Sequence, residues 1–325
     1  MPFYLSCLAA AMLLIGTNVG LGKSVIVFFP VLLFTFLRFG IAVICLLPWL
    51  RPARMRRISR KEWLQIFLQA FFGTFLFTLF MLYGVRYTTA MAAGVITSAI
   101  PASVAIVSWL VLRERLSRRT ALSVALAIGG ILILNLSTAQ HAGSNTAENA
   151  LLGNLFVLGA VICEGLYVIL SRSITQTVPP MENCAYTHLF GFLLILPFGV
   201  AVLPGFDFSV IPAYGWAIML WYVLSASIFS FALWATGIRH VPATLAGVFT
   251  SLVPLAAAAY GILVLGETPG WGHAVAMVCV LAGIAVACWP SKPFRHALTA
   301  LDDPAAPADP AAQRTPTPVV ERDMR

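Results

Sequence analysis

Ten stretches of this chain are each long and apolar enough to cross a lipid bilayer as a helix, and that recurrence constrains the fold more than any other feature. They lie near residues 3–22, 27–49, 64–84, 90–112, 119–137, 151–171, 184–204, 214–236, 243–265 and 271–289. A helix needs about 20 apolar residues to cover the hydrocarbon core. The chain is 60% hydrophobic and 10% charged, whereas a soluble domain carries about 25% charged residues. That is too little charge to coat a water-soluble globule of this size, and the prediction is an all-α membrane protein. No Lys or Arg precedes the apolar run of MPFYLSCLAAAMLLIG. It lacks the basic start of a secretory signal and is expected to stay as the first span.

The basic residues set the expected orientation. Arg51, Arg54, Arg56, Arg57, Arg60 and Lys61 follow the second span, and Arg113, Arg115, Arg118 and Arg119 follow the fourth. Arg172 follows the sixth, Arg239 the eighth, and Lys292, Arg295, Arg314, Arg322 and Arg325 the tenth. All fall on one side of a ten-span layout, and only Lys23 and Arg86 fall on the other. The positive-inside rule then puts both termini in the cytoplasm of a bacterial inner (plasma) membrane. Charge in short blocks between apolar runs explains the high pI without nucleic acid as a partner. The six cysteines show no CxxC pair and no metal-ligand spacing with His, so no metal or cofactor is expected. Residues 138–150 form a polar linker, and residues 290–325, rich in Pro, Ala and Asp, read as a disordered cytoplasmic tail.

The two sides of that linker repeat one another. Gly84-Val85-Arg86-Tyr87 matches Gly237-Ile238-Arg239-His240. Ala93-Gly94-Val95-Ile96-Thr97-Ser98-Ala99-Ile100-Pro101 matches Ala246-Gly247-Val248-Phe249-Thr250-Ser251-Leu252-Val253-Pro254. Trp63 matches Trp216, Glu114 matches Glu267, and Gly130-Ile131 matches Gly283-Ile284, all at the offset of 153 that separates Pro101 from Pro254. A shared Arg, Thr-Ser, Pro and Glu in one register is not chance likeness between apolar helices. Each copy, 3–137 and 151–289, holds five spans, so the second must enter the membrane from the opposite side. The charges agree, because the second copy lacks the basic blocks of 51–61 and 113–119. Ten helices in two inverted five-helix repeats are a hallmark of secondary transporters, whose halves rock about a midplane site. Pro101 and Pro254 deprive the carbonyls of Thr97 and Thr250 of their helix partners. The matched kinks either line a central path or let helices pack closely beside Gly94 and Gly247.

The chain resembles the EamA-like branch of the drug/metabolite transporter superfamily over most of residues 3–289. The likeness rests on Pro30 with Leu37-Arg38-Phe39, on Tyr87-Thr88-Thr89-Ala90, and on the span ends Leu112-Arg113-Glu114-Arg115 and Leu265-Gly266-Glu267-Thr268. Glycine-rich fifth and tenth spans add to it. Where that family often has a Trp-Gly pair and an aromatic, this chain has Ile15-Gly16-Thr17-Asn18-Val19. The resemblance implies a ten-helix bundle, often exporting amino acids or related metabolites. It implies a cavity lined mainly by spans one, three, four, six, eight and nine, with five and ten at the periphery.

Polar groups inside the spans are the candidate working residues. Glu164 is the acidic residue well inside an apolar span. An intramembrane carboxylate is costly and functional by default, here in proton coupling or in holding a substrate amine. The structural alternative is an ion pair with Lys23 or Arg38. Arg38 could hold a substrate carboxylate through its planar fork, but the resemblance makes its span less central, which favours a structural or snorkelling role. His188 could titrate near neutral pH or be a satisfied interior histidine. Asn18, Tyr167, Thr97, Ser98, Thr250 and Ser251 offer uncharged hydrogen-bonding groups. Ser227, Ser230 and Trp234 share one face of the eighth span, with Trp221 and Tyr222 nearer its outer end. These groups suit a cavity for an amphipathic solute, and interhelical contacts would use the same types. Glu114 and Glu267 are expected to complement the dipoles of the helices that follow them.

The expected function is secondary transport of small metabolites by alternating access, with export of amino acids or related compounds foremost. Proton-coupled uptake or drug efflux are alternatives of the same class. An intramembrane enzyme would need converging catalytic groups, which one embedded acid and one embedded His do not supply, and a channel carries no special expectation of an inverted repeat. No GxxxxGK[ST] motif is present to power an ATP-driven pump. The partners expected are the solute and lipid, with a homodimer left open.

Overall fold

The computed structural model describes residues 2–51, 55, 58–113, 118–141, 144–174, 177–238, 240 and 249–288. Arg54, Arg56, Arg57, Glu114, Arg115, Arg239, Ala246-Gly247-Val248 and the segment 290–325 lie outside them. The described chain is helical throughout. Its helices are α1 (Pro2–Val25), α2 (Val31–Leu46) and α3, which runs Arg60–Gln69, a π segment Ala70–Leu76, then Phe77–Tyr87. Next come α4 (Ala90–Thr97), α5 (Ile100–Leu112), α6 (Arg118–His141), α7 (Ser144–Ile174) and α8 (Pro180–Val202). Helix α9 runs Ala213–Leu224, a π segment Ser225–Phe229, then Ser230–Ile238. It is followed by α10 (Leu252–Leu263) and α11 (Trp271–Cys288).

Among the described residues, seven helices are long and apolar enough to cross a membrane. The pair α4 and α5, bent by 40°, makes an eighth if it is one span, and two shorter apolar helices cover Leu252–Leu263 and Trp271–Val286. Large apolar side chains such as Leu110, Leu132, Leu155, Leu193 and Val278 stand exposed on the outside of the bundle. So much apolar surface is unsuited to water and is what a lipid environment requires of a protein exterior.

Local chemistry explains the helix starts. Ser59 and Glu62 form a reciprocal capping box before α3, the Ser59 side chain accepting from the Glu62 N–H and the Glu62 carboxylate accepting from the Ser59 N–H at 2.8 Å. Thr89 caps α4 by accepting from the Ala92 N–H at 3.0 Å. In the α8–α9 loop, Asp207 accepts from the Ser209 hydroxyl and N–H, and these bonds hold its carboxyl below the ordinary range. The polar stretch expected as a linker is mostly helical, since α6 continues to His141 and α7 opens at Ser144.

The sequence offset reappears in the backbone. Helices α3 and α9 start at Arg60 and Ala213, and α6 and α11 at Arg118 and Trp271, each pair one offset apart. The π segments of α3 and α9 end at Leu76 and Phe229. The chain turns at Ser98 before α5 and at Ser251 before α10. Arg113 and Gly266 take positive φ angles of 55° and 66° after those helices. Packing follows the same pairing: α2 lies against α8, α6 against α11, α1 against α10, and α7 against α5. The α6–α11 contact is close because Gly130 and Gly283 bring backbones together. A Cβ on Gly130 would sit 3.1 Å from the Ala276 carbonyl, and one on Gly283 3.1 Å from that of Ser123.

Candidate functional site

A buried polar cluster lies where α1, α2, α3, α8 and α9 meet. Arg38 of α2 is at its centre and is 8% exposed. Its Nη1 donates to Thr78 Oγ1 at 2.9 Å, and its guanidinium lies over the rings of Tyr222 at 5.0 Å and Phe39 at 5.4 Å. Its Nε is buried without a partner. His188 of α8 packs edge-on to Phe39 at 6.0 Å, and its Nδ1 lies 2.9 Å from the Cys184 carbonyl. The Cys184 thiol reaches the Ser227 carbonyl of α9 at 3.6 Å. Two residues earlier, Ser225 donates to Asn18 Oδ1 of α1 at 2.8 Å, while among the described residues the buried Asn18 Nδ2 has no partner. Ser225 and Ser227 lie in the π segment, a departure from α geometry that is frequent at functional sites.

Glu164 stands apart on α7. It is half-buried, and among the described residues it makes no hydrogen bond or ion pair. The alternative pairing with Lys23 or Arg38 is not formed, because both cations are engaged elsewhere, Lys23 with Glu267 and Arg38 with Thr78 and two aromatic rings. Tyr167, one turn on, is within electrostatic reach of Glu164 and of Cys184. It packs over Gly73 in the π segment of α3, where any Cβ would overlap its ring. Gly165 admits Ser103 of α5 in the same way, and the Ser103 hydroxyl is buried without a partner.

The remaining candidates are dispersed. Thr97 and Ser98 both donate to the Gly94 carbonyl, at 2.9 and 2.8 Å, so their hydroxyls serve the end of α4. The 40° bend falls at Ser98 and Ala99, ahead of Pro101, which is the second residue of α5 and exposed. Proline suits the first turn of a helix, where its missing N–H has no partner to lose. It marks the restart of the helix. Pro254 holds the corresponding early position in α10 but is buried, beside Gly94. Thr250 and Ser251 are half-buried in the turn before α10. Ser230 donates to the Ala226 carbonyl, and Trp234 packs with Leu8, Met12 and Phe249.

A third group was not singled out from sequence. Lys23 Nζ lies 3.0 Å from Glu267 Oε1 and donates to the Thr88 carbonyl at 2.8 Å. Glu267 also accepts from the N–H groups of Ala90 and Met91 at 2.8 and 3.0 Å. It therefore caps α4, not the helix that follows it. The Thr88 hydroxyl donates to Asn154 Oδ1 at 2.6 Å, and Asn154 Nδ2 donates to Asn135 Oδ1 at 2.8 Å. One end of the bundle is thus tied across α1, α4, α6, α7 and the α10–α11 loop. Gln69 and Asn183, both buried, join α3 to α8 at 3.0 Å. Their signal in the sequence was an amide within an apolar run.

Comparison with known proteins gives this helical duplication a context. The sequence profile of the EamA-like transporter family matches residues 2–136 and, a second time, 151–289. The chain belongs to the EamA-like transporter family. An uncharacterized transporter of Bacillus subtilis (strain 168), YetK, is 34% identical over 281 residues, 86% of this chain and 84% of that protein. An uncharacterized transporter of Archaeoglobus fulgidus is 25% identical over 252 residues, covering 77% of this chain and 84% of its own. The WAT1-related protein At4g01450 of Arabidopsis thaliana is 26% identical over 178 residues, about half of each chain (48% and 49%). A solved crystal structure shares the fold with a TM-score of 0.58 at 18% identity, across 90% of this chain and 97% of that one. As an EamA-like protein, the chain is a membrane protein of a transporter family.

Proposed function

We propose that this EamA-like protein is a secondary carrier of small metabolites, foremost an exporter of amino acids or related compounds, working by alternating access. The observation that carries the reading is the duplicated helical unit with its matched irregularities, the π segments of α3 and α9 and the turns before α5 and α10. Repeats of this kind in a transporter family fit two halves, 3–137 and 151–289, that move against one another around a fixed site. On this reading the ten crossings include the bent α4–α5 pair and the short α10 and α11. The second half is inverted, and both termini lie in the cytoplasm of a bacterial inner membrane. The Lys23–Glu267 tie closes one end of the bundle, and it is the kind of contact that an opening step breaks and remakes.

Glu164 is the coupling acid in this scheme. An unpaired carboxylate inside a span is accounted for if it binds and releases a proton during the cycle. Counterflow in proteoliposomes, with a panel of amino acids and metabolites and with or without a pH gradient, tests the reading. The purified protein is expected to exchange at least one solute and to respond to the gradient. The Glu164→Gln protein is expected to keep exchange and to lose gradient-driven net flux. An unchanged gradient response in Glu164→Gln removes Glu164 from coupling, and failure to move any solute removes the carrier reading itself.

A further inference from the structure

We propose that Arg38 is the anchor for a carboxylate of the transported solute, with Asn18 as the second donor; this deepens the carrier reading and rests on it. Arg38 is 8% exposed, and among the described residues its contacts are one hydroxyl and two aromatic faces, none of them anionic. A guanidinium carries five N–H donors. One N–H is used on Thr78, and Nε is buried with nothing to bind. The polar groups facing it from α8 and α9 are Cys184, His188 and Tyr222, and none of them is a carboxylate. Inside a bilayer, a cation without a counter-ion is costly. Satisfying the remaining N–H donors with an anion removes most of that cost.

Geometry selects the anion. The rings of Tyr222 and Phe39 lie 5.0 and 5.4 Å from the guanidinium carbon, and the N–H donors beyond the one on Thr78 are what remains for a ligand. Those donors belong to a planar fork, and it matches the two oxygens of a carboxylate better than a point-like ion. Asn18 of α1 adds a donor, bonded to the π segment of α9 through Ser225. Its Oδ1 accepts from Ser225 at 2.8 Å, three residues after the Tyr222 whose ring lies against Arg38, and among the described residues its buried Nδ2 has no partner. The cluster draws on α1, α2, α3, α8 and α9, so a ligand seated there contacts both repeats. Loss or gain of that ligand can then bias how the repeats pack.

Thermal unfolding of the full-length protein in detergent tests the site directly, with benzoate as the probe, benzamide as its uncharged match, and sodium chloride at equal ionic strength. Benzoate is expected to raise the Tm of the wild type, and benzamide and chloride are not. Arg38→Met is expected to remain folded, because it replaces a lone buried charge with an apolar chain of similar length, and to lose the benzoate response. Arg38→Lys, which keeps the charge but not the fork, is expected to show a reduced response. Counterflow of any carboxylate solute at subsaturating concentration should fall about 100-fold in Arg38→Met. No benzoate shift in the wild type, or an equal shift in Arg38→Met, overturns the proposal. An equal shift with chloride alone makes this an inorganic anion site and overturns it too. Counterflow of neutral solutes with indifference to carboxylates leaves the carrier standing and removes only this inference.

Discussion

Replacing Glu267 with Ala is expected to destabilise the protein by about 3 kcal/mol, read as a lower Tm in detergent. Three bonds converge on this one carboxylate, from Lys23 Nζ at 3.0 Å and from the N–H groups of Ala90 and Met91. The side chain is 9% exposed, so water does not replace what is lost. The change orphans two N–H groups at the start of α4 and leaves Lys23 with only the Thr88 carbonyl. Lys23 is 30% exposed, so Lys23→Ala is expected to cost less, about 1 kcal/mol. The double variant should cost less than the sum, because both changes remove the same ion pair. A Tm for Glu267→Ala equal to that of the wild type would show that the tie contributes nothing.

Gly16→Ala is expected to destabilise the protein by up to about 2 kcal/mol, although alanine is the better helix former. A Cβ on Gly16 would overlap the Val253 carbonyl oxygen and lie 2.7 Å from the Cβ of Ala256. The first clash is with backbone, which cannot rotate aside. Helices α1 and α10 must separate, and overpacking of this kind costs about 1–3 kcal/mol, more than the roughly 1 kcal/mol gained in propensity. Gly129 provides the control, since a Cβ there meets nothing within 4 Å. Gly129→Ala should be neutral or slightly stabilising. Expression and melting of the two variants, measured side by side, separate the close approach from any general effect of losing glycine.

The helical class was legible because membrane helices announce themselves by length and apolarity. The duplication was legible because Thr-Ser, Pro and Glu recur in one register, and the backbone carries the same repeat in its π segments and at Arg113 and Gly266. What escaped the sequence depends on contacts between distant segments. Glu267 was expected to serve the helix that follows it, but it reaches Ala90, 177 residues away. Arg38 looked structural because its span was expected to be peripheral. Its want of an anionic partner became evident only once Thr78, Tyr222 and Phe39 were in place around it. Pro101 showed that the chain bends, but not that the bend falls at Ser98 and Ala99, with the proline exposed in the first turn of the next helix.

The inverted repeat is the claim on which alternating access rests, and one matched pair of positions tests it directly. Lys61 and Tyr214 are both exposed and occupy the same place in the two copies, just inside the starts of α3 and α9. With the six native cysteines replaced, Lys61→Cys and Tyr214→Cys are each treated in intact cells with a membrane-impermeant maleimide. An inverted second half requires labelling of Tyr214→Cys from outside, and of Lys61→Cys only after the membrane is permeabilised. Labelling of both from the same side would contradict it.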